Sequence, residues 1–201
     1  MSAVAAVTML IGPTYAAESA PTQVDRSPVD QETCRMIIAG LQGAAASGEY
    51  EETYTPELKA QIAQLTPGDC YREALATESA AAPLGVGTAA AATSCGYRYK
   101  QMGLYSGPIE IATAHYDAYW CWNSSTVWWK DYKNCYVTSF PGFFGDDEYC
   151  GVINNNTSLA TGRMDFYVAA YSAPWWHRYG WMSFTINRFG TTSGVSGFCC
   201  S

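Results

Sequence analysis

Between Ile111 and Trp122 the side chains alternate in kind. Ala112, Ala114, Tyr116, Ala118, Trp120 and Trp122 fall on one side of an extended chain. Ile111, Thr113, His115, Asp117, Tyr119 and Cys121 fall on the other. A period of two sustained over that length belongs to a β-strand with one face turned to a core. The same period returns in Met164–Ser172, where Met164, Phe166, Val168 and Ala170 share a face. It returns again in Trp181–Phe189, with Met182, Phe184 and Ile186 together. Shorter strands are expected near 97–104, 126–130, 134–139 and 148–153. Asn123-Ser-Ser, Pro141-Gly142, Asn154-Asn-Asn and Gly190 mark turns. Six or seven antiparallel strands of this kind predict a β-sandwich over residues 95–201.

The chain before Cys95 is different. Residues 1–95 hold eleven acids and four bases, whereas 96–201 hold seven of each. All but four of the aromatic residues come after Cys95. Three helices are predicted in the first part. One starts at Ser27-Pro28-Val29-Asp30, with Ser27 as cap, and carries Cys34, Ile37, Ile38, Leu41 and Ala45 before a stop at Gly48. A second starts at Thr55-Pro56 and ends at Pro67-Gly68. A third runs from Asp69 to about Ala81. The small-residue run 82–94 is expected to be a linker. Its Gly85-x-Gly87 has no preceding strand and is not a dinucleotide fingerprint. The expected fold class is therefore α+β, with a helical N-terminal segment over 17–81 and a separate β-sandwich domain.

Residues 1–16 form a short apolar run that ends in Thr14-Tyr15-Ala16, the pattern of a signal peptide cut after Ala16. The run is too short to span a bilayer. Export to an extracellular compartment also suits the eight cysteines, all later in the chain. Cys34 and Cys70 are the only two before the linker and are expected to pair. A bridge closing that loop would contribute about 3–4 kcal/mol. Two histidines and no Cys-x-x-Cys make a structural zinc site a poor reading, and no metal or cofactor is assigned. A net charge of −7 excludes the basic patch that nucleic acid requires.

Tyr119-Trp-Cys-Trp-Asn-Ser, Cys135, Cys150-Gly151 and Asn154-Asn155 give residues 110–190 a resemblance to a loosely defined group of secreted bacterial proteins of unknown function. The resemblance implies export, a β-fold and a Cys135–Cys150 bridge, and supplies no activity. Cys95 and Cys121 would then pair with Cys199 and Cys200.

The segment Ala173-Pro174-Trp175-Trp176-His177-Arg178-Tyr179-Gly180 lies between two alternating stretches and is expected to be a hairpin loop. Aromatic residues on such a loop are a recognition surface. Trp175, Trp176, His177, Arg178 and Tyr179, with Trp129 beside them, are the candidate ligand-binding residues. The competing reading has the two indoles fold back to cap the sandwich. His115 and Asp117 share a strand face and could form a base and its orienter, but no nucleophile accompanies them. No catalytic residue is assigned. Asp146-Asp147-Glu148 reads as a solvated acidic turn. The expected function is a secreted, non-enzymatic binding module for carbohydrate or another cell-surface polymer. Three alternatives stand beside it: a secreted hydrolase using His115, Asp117 or His177, an inhibitor or interaction factor that binds a secreted protein partner, and a purely structural surface protein.

Overall fold

The computed structural model describes residues 23–78, 93–190 and 192–199. The expected signal peptide and most of the expected linker lie outside them. The described residues form a β-rich α+β fold of nine strands and two helices. The order is β1 (Gln23–Pro28), α1 (Gln31–Ser47), α2 (Pro56–Ile62), β2 (Cys70–Glu78), β3 (Ser94–Ser106), β4 (Ile109–Trp122), β5 (Val127–Ser139), β6 (Phe143–Ile153), β7 (Leu159–Ala170), β8 (Ala173–Asn187) and β9 (Thr192–Cys199). Within each of two sheets, every strand pairs antiparallel with its neighbours in sequence. β1 to β5 make the first sheet and β6 to β9 the second.

The alternation read from the sequence decides what is buried. All six residues of the Ala112–Trp122 set on β4 are buried, as are Met164, Phe166, Val168 and Ala170 on β7 and Met182 and Ile186 on β8. Most of them join a single apolar cluster fed by both sheets. Alanines on β4 leave room for large rings opposite. On β7 the ring of Phe166 lies over Gly180 of β8, where any side chain would collide with it. Three buried side chains of the first sheet also reach main-chain carbonyls of the second or of its β8–β9 turn. Arg98 donates to Gly190 at 3.0 Å, Lys100 to Ser183 at 3.1 Å and Tyr116 to Gly151 at 3.1 Å.

A second cluster joins α1 to the sheet ends. Ile37 and Leu41 pack with Leu104, Ile109, Ile111 and Phe143. Gly40 sits against Phe143 and Ala170, Gly43 against Ser172, and Ala44 against Gly142. Helix α1 thus covers the end of the sheets where the 140–142 and 171–172 turns lie. Tyr54 fastens the segment before α2 to the same end by donating to Pro141 O at 2.7 Å.

Several expectations change. The cap of α1 is Asp30, whose carboxylate accepts from Thr33 N at 2.8 Å, while Ser27 belongs to β1. Gly48 ends the helix in a left-handed conformation, φ 74°, as expected. Thr55 caps α2 as expected, but that helix stops at Ile62. The expected third helix is strand β2: its nine residues pair with β3 from Cys70↔Ser106 to Glu78↔Arg98. Partner strands overrode a sequence of good helix formers. Segment 82–94 therefore connects two strands of one sheet. Residues 173–180 are not a loop. The hairpin turn is Tyr171-Ser172, and β8 begins at Ala173.

Among the described residues three disulfides are present. Cys34–Cys70 and Cys135–Cys150 form as expected, the latter tying β5 of one sheet to β6 of the other. Cys95 and Cys121 do not reach for Cys199 or Cys200. They face each other across β3 and β4 and bond together. Such bridges are typical of extracellular proteins. No helix among the described residues is long and apolar enough to cross a membrane.

A fragment of residues 94–201 would expose the β3 edge and uncover Leu104, Ile109, Ile111 and Phe143. Its thermal unfolding, followed by circular dichroism, is expected to lose the cooperative transition of the full chain.

Candidate functional site

The outward residues of the first sheet form a belt of tyrosines across four strands. They follow from the same alternation, because every second residue of β3, β4 and β5 must turn away from the core. Tyr71 of β2 and Tyr105 of β3 are direct partners, and their rings stack at 5.0 Å. Arg26 lies over Tyr71 at 4.4 Å and pairs with Glu73 at 2.7 Å. Tyr105 folds down over Gly103, a position where a side chain would strike its ring. Tyr97 and Tyr119, partners across β3 and β4, have centroids 4.8 Å apart. His115 stacks on its β5 partner Tyr136 at 4.4 Å, with ring planes 11° apart. Tyr97 is 49% exposed and Tyr136 42%. The rings between them are half-buried by one another.

A hydrogen-bonded line runs under this belt. The Tyr99 hydroxyl donates to Gln101 Oε1 at 2.7 Å and lies 2.8 Å from His115 Nδ1. His115 Nε2 lies 3.2 Å from Thr138 Oγ1. The Tyr99 proton goes to Gln101 Oε1 and the Thr138 hydroxyl donates to Thr113 O at 3.3 Å, so the imidazole sits between two hydroxyl oxygens. Burial pushes the His115 pKa below its ordinary value and that of Asp117 above its own. Burial, then Glu110, pushes the Tyr105 hydroxyl up to about 12, and burial raises Tyr99 as well. Around neutral pH these phenols keep their protons, and Asp117, the β4 partner of Tyr99, is the carboxylate among the rings and hydroxyls at the centre of the belt.

A His115–Asp117 dyad is not assembled. The two share the face, but the His115 nitrogens face Tyr99 and Thr138. Among the described residues no group of three or more His, Cys, Asp or Glu could hold a metal ion. Asp146, Asp147 and Glu148 lie in β6 at a register shift, not in a turn.

The other candidate residues separate. His177 and Tyr179 are exposed on the outward side of the second sheet, their rings edge to face at 5.0 Å. Arg178 between them turns inward and is 8% exposed. Its Nε donates to Thr33 Oγ1 at 2.6 Å, with Asp30 at 3.9 Å, so it ties β8 to the start of α1. Trp129 packs against the inter-sheet cluster on the side away from the tyrosine belt. Trp175 and Trp176 lie within β8, where the register jumps from His177↔Ala169 to Ala173↔Ala170. Their side chains are outside the described residues. The sequence reasoning passed over the belt because its rings are spread over four strands, from Tyr71 to Tyr136. Only the pairing register brings them together.

Comparison with protein-family models, with curated proteins and with solved structures finds no match.

Replacing Arg178 by Met leaves the Thr33 hydroxyl and the Asp30 carboxylate without their cation. The expected loss of stability is about 1.5–3 kcal/mol in urea unfolding, with the tyrosine belt unaltered.

Proposed function

We propose that this is a secreted binding module for a neutral polysaccharide, with the outward face of the first sheet as its site and the two sheets packed as a β-sandwich beneath it. The observation that carries the reading is the belt of Tyr71, Tyr105, Tyr99, His115, Tyr136, Tyr97 and Tyr119 laid across adjacent strands. Sugar rings present C–H faces to aromatic rings and hydroxyls to polar groups. The belt offers both, on strands that hold the rings in place. Its phenols are uncharged and the charged groups among them are the carboxylates of Asp117 and Glu110, which suits a neutral polymer better than an acidic one. Three disulfides support an extracellular setting. Arg26 and Glu73 at the margin neutralise each other.

Retention on insoluble cellulose, chitin and bacterial cell walls tests the reading. The wild-type protein is expected to be retained on at least one of them. A Tyr97→Ala, Tyr136→Ala double variant is expected to bind about tenfold more weakly, the loss of two ring contacts worth ~0.5–1 kcal/mol each. Its melting temperature should stay within a few degrees, because both rings are exposed. Retention of wild type and variant alike would place the site elsewhere.

A further inference from the structure

The outward side of the second sheet repeats the arrangement of the first. Tyr171 and Phe144 have ring centroids 4.8 Å apart, Phe144 and Tyr167 6.1 Å, Tyr167 and Tyr179 6.4 Å, and Tyr179 and His177 5.0 Å. These rings form a continuous line that curves around Ala169, across β6, β7 and β8 and the turn between the last two. Tyr171 is 59% exposed and Tyr179 38%. A run of exposed rings this long marks an interaction surface rather than scattered surface residues.

The charge around the line limits what can cover it. Arg163 and Asp165, on the same face, bond to each other at 2.9 Å. Thr161 and Thr185 face each other at 3.4 Å. Asp146 stands beside Tyr167 at the β6 end of the line. Asp146 and exposed Glu148 make the β6 margin acidic, and the rest of the described face offers rings, hydroxyls and a self-neutralised ion pair. An occupant that is uncharged, rich in hydroxyls and flat on one side fits it. An acidic protein surface would meet like charge at that margin.

We propose that this face is a second binding site for neutral polysaccharide, so that one molecule engages two polymer chains and bridges them. The proposal rests on the reading of the first sheet as a polysaccharide site. The geometry adds the second valence. Both sheets send their inward residues into one cluster, so their outward faces point away from each other. A single polymer chain lying on one belt therefore cannot lie on the other. Two sites on opposite sides convert a binding module into a cross-linker, and linked sites raise the overall avidity for a polymer network.

A capture assay on the full-length protein tests this. The protein is loaded on insoluble cellulose or chitin and washed. Fluorescent hydroxyethylcellulose or glycol chitin is then added to the corresponding solid. The wild type is expected to capture the soluble polymer on the solid. A Tyr171→Ala, Tyr179→Ala variant is expected to stay on the solid within about twofold of wild type, roughly 0.4 kcal/mol, and to lose most of the capture. Wild type that is retained but captures nothing would overturn the second site and leave the first intact. A variant that captures as well as wild type would overturn it too. Failure of the wild type to bind any solid would overturn both readings. Sedimentation velocity covers the remaining occupant. Self-association of wild type without polymer, lost in the variant, would make this face an interface between copies of the chain and would also overturn the proposal.

Discussion

Three hydrogen bonds across the core fix how the two sheets sit on each other. Arg98, Lys100 and Tyr116 leave the first sheet and end on carbonyls of Gly190, Ser183 and Gly151 in the second or its β8–β9 turn. Arg98 is 5% exposed and Lys100 3%. A buried cation is costly unless its protons are satisfied, so these groups tolerate one placement of the opposite sheet and penalise its neighbours. The apolar contacts around them are far less selective. Arg98 also lies over Trp122 at 4.7 Å, which holds that indole beside the Gly190 turn. The Cys135–Cys150 bridge joins the same two sheets covalently.

The outer faces follow from that placement. Once Tyr116, Trp120, Phe166 and Met182 point inward, their neighbours in sequence must point out. His115, Asp117 and Tyr119 belong to one sheet's surface, and Tyr167, Tyr179 and Trp181 to the other's. The two surfaces are thus consequences of one core. Their aromatic character is not required by the fold, since polar residues would serve an outward strand face as well. Rings placed there at the expense of solubility are what the proposed polysaccharide sites rest on.

The strands with an uninterrupted alternation were legible from sequence, and β4 is the clearest case. Its six inward residues are all buried. The caps at Thr55 and Gly48, and the Cys34–Cys70 pair, were legible because each depends on local chemistry or on having a single available partner. What failed was whatever depends on pairing across the chain. Residues 70–78 carry helix-forming residues, yet β1 and β3 supply a ladder on both sides and draw them into a strand. Pro174 and the two tryptophans read as a loop, but β8 absorbs them at a register jump. Cys95 and Cys121 become partners through the β3–β4 register alone. Arg178 looked like a surface cation because nothing near it in sequence announces Thr33. The tyrosine belt was illegible for the same reason, its members being spread over residues 71 to 136.

Aromatic nuclear magnetic resonance with ring-labelled tyrosine tests the central claim most directly. Soluble polysaccharide is titrated into the full-length protein. The account predicts that the resonances of Tyr97, Tyr99, Tyr119 and Tyr136 shift together and saturably, while fully buried Tyr116 stays in place. Shifts confined to tyrosines outside both outward faces, or no saturable shift with any neutral polysaccharide, would contradict it.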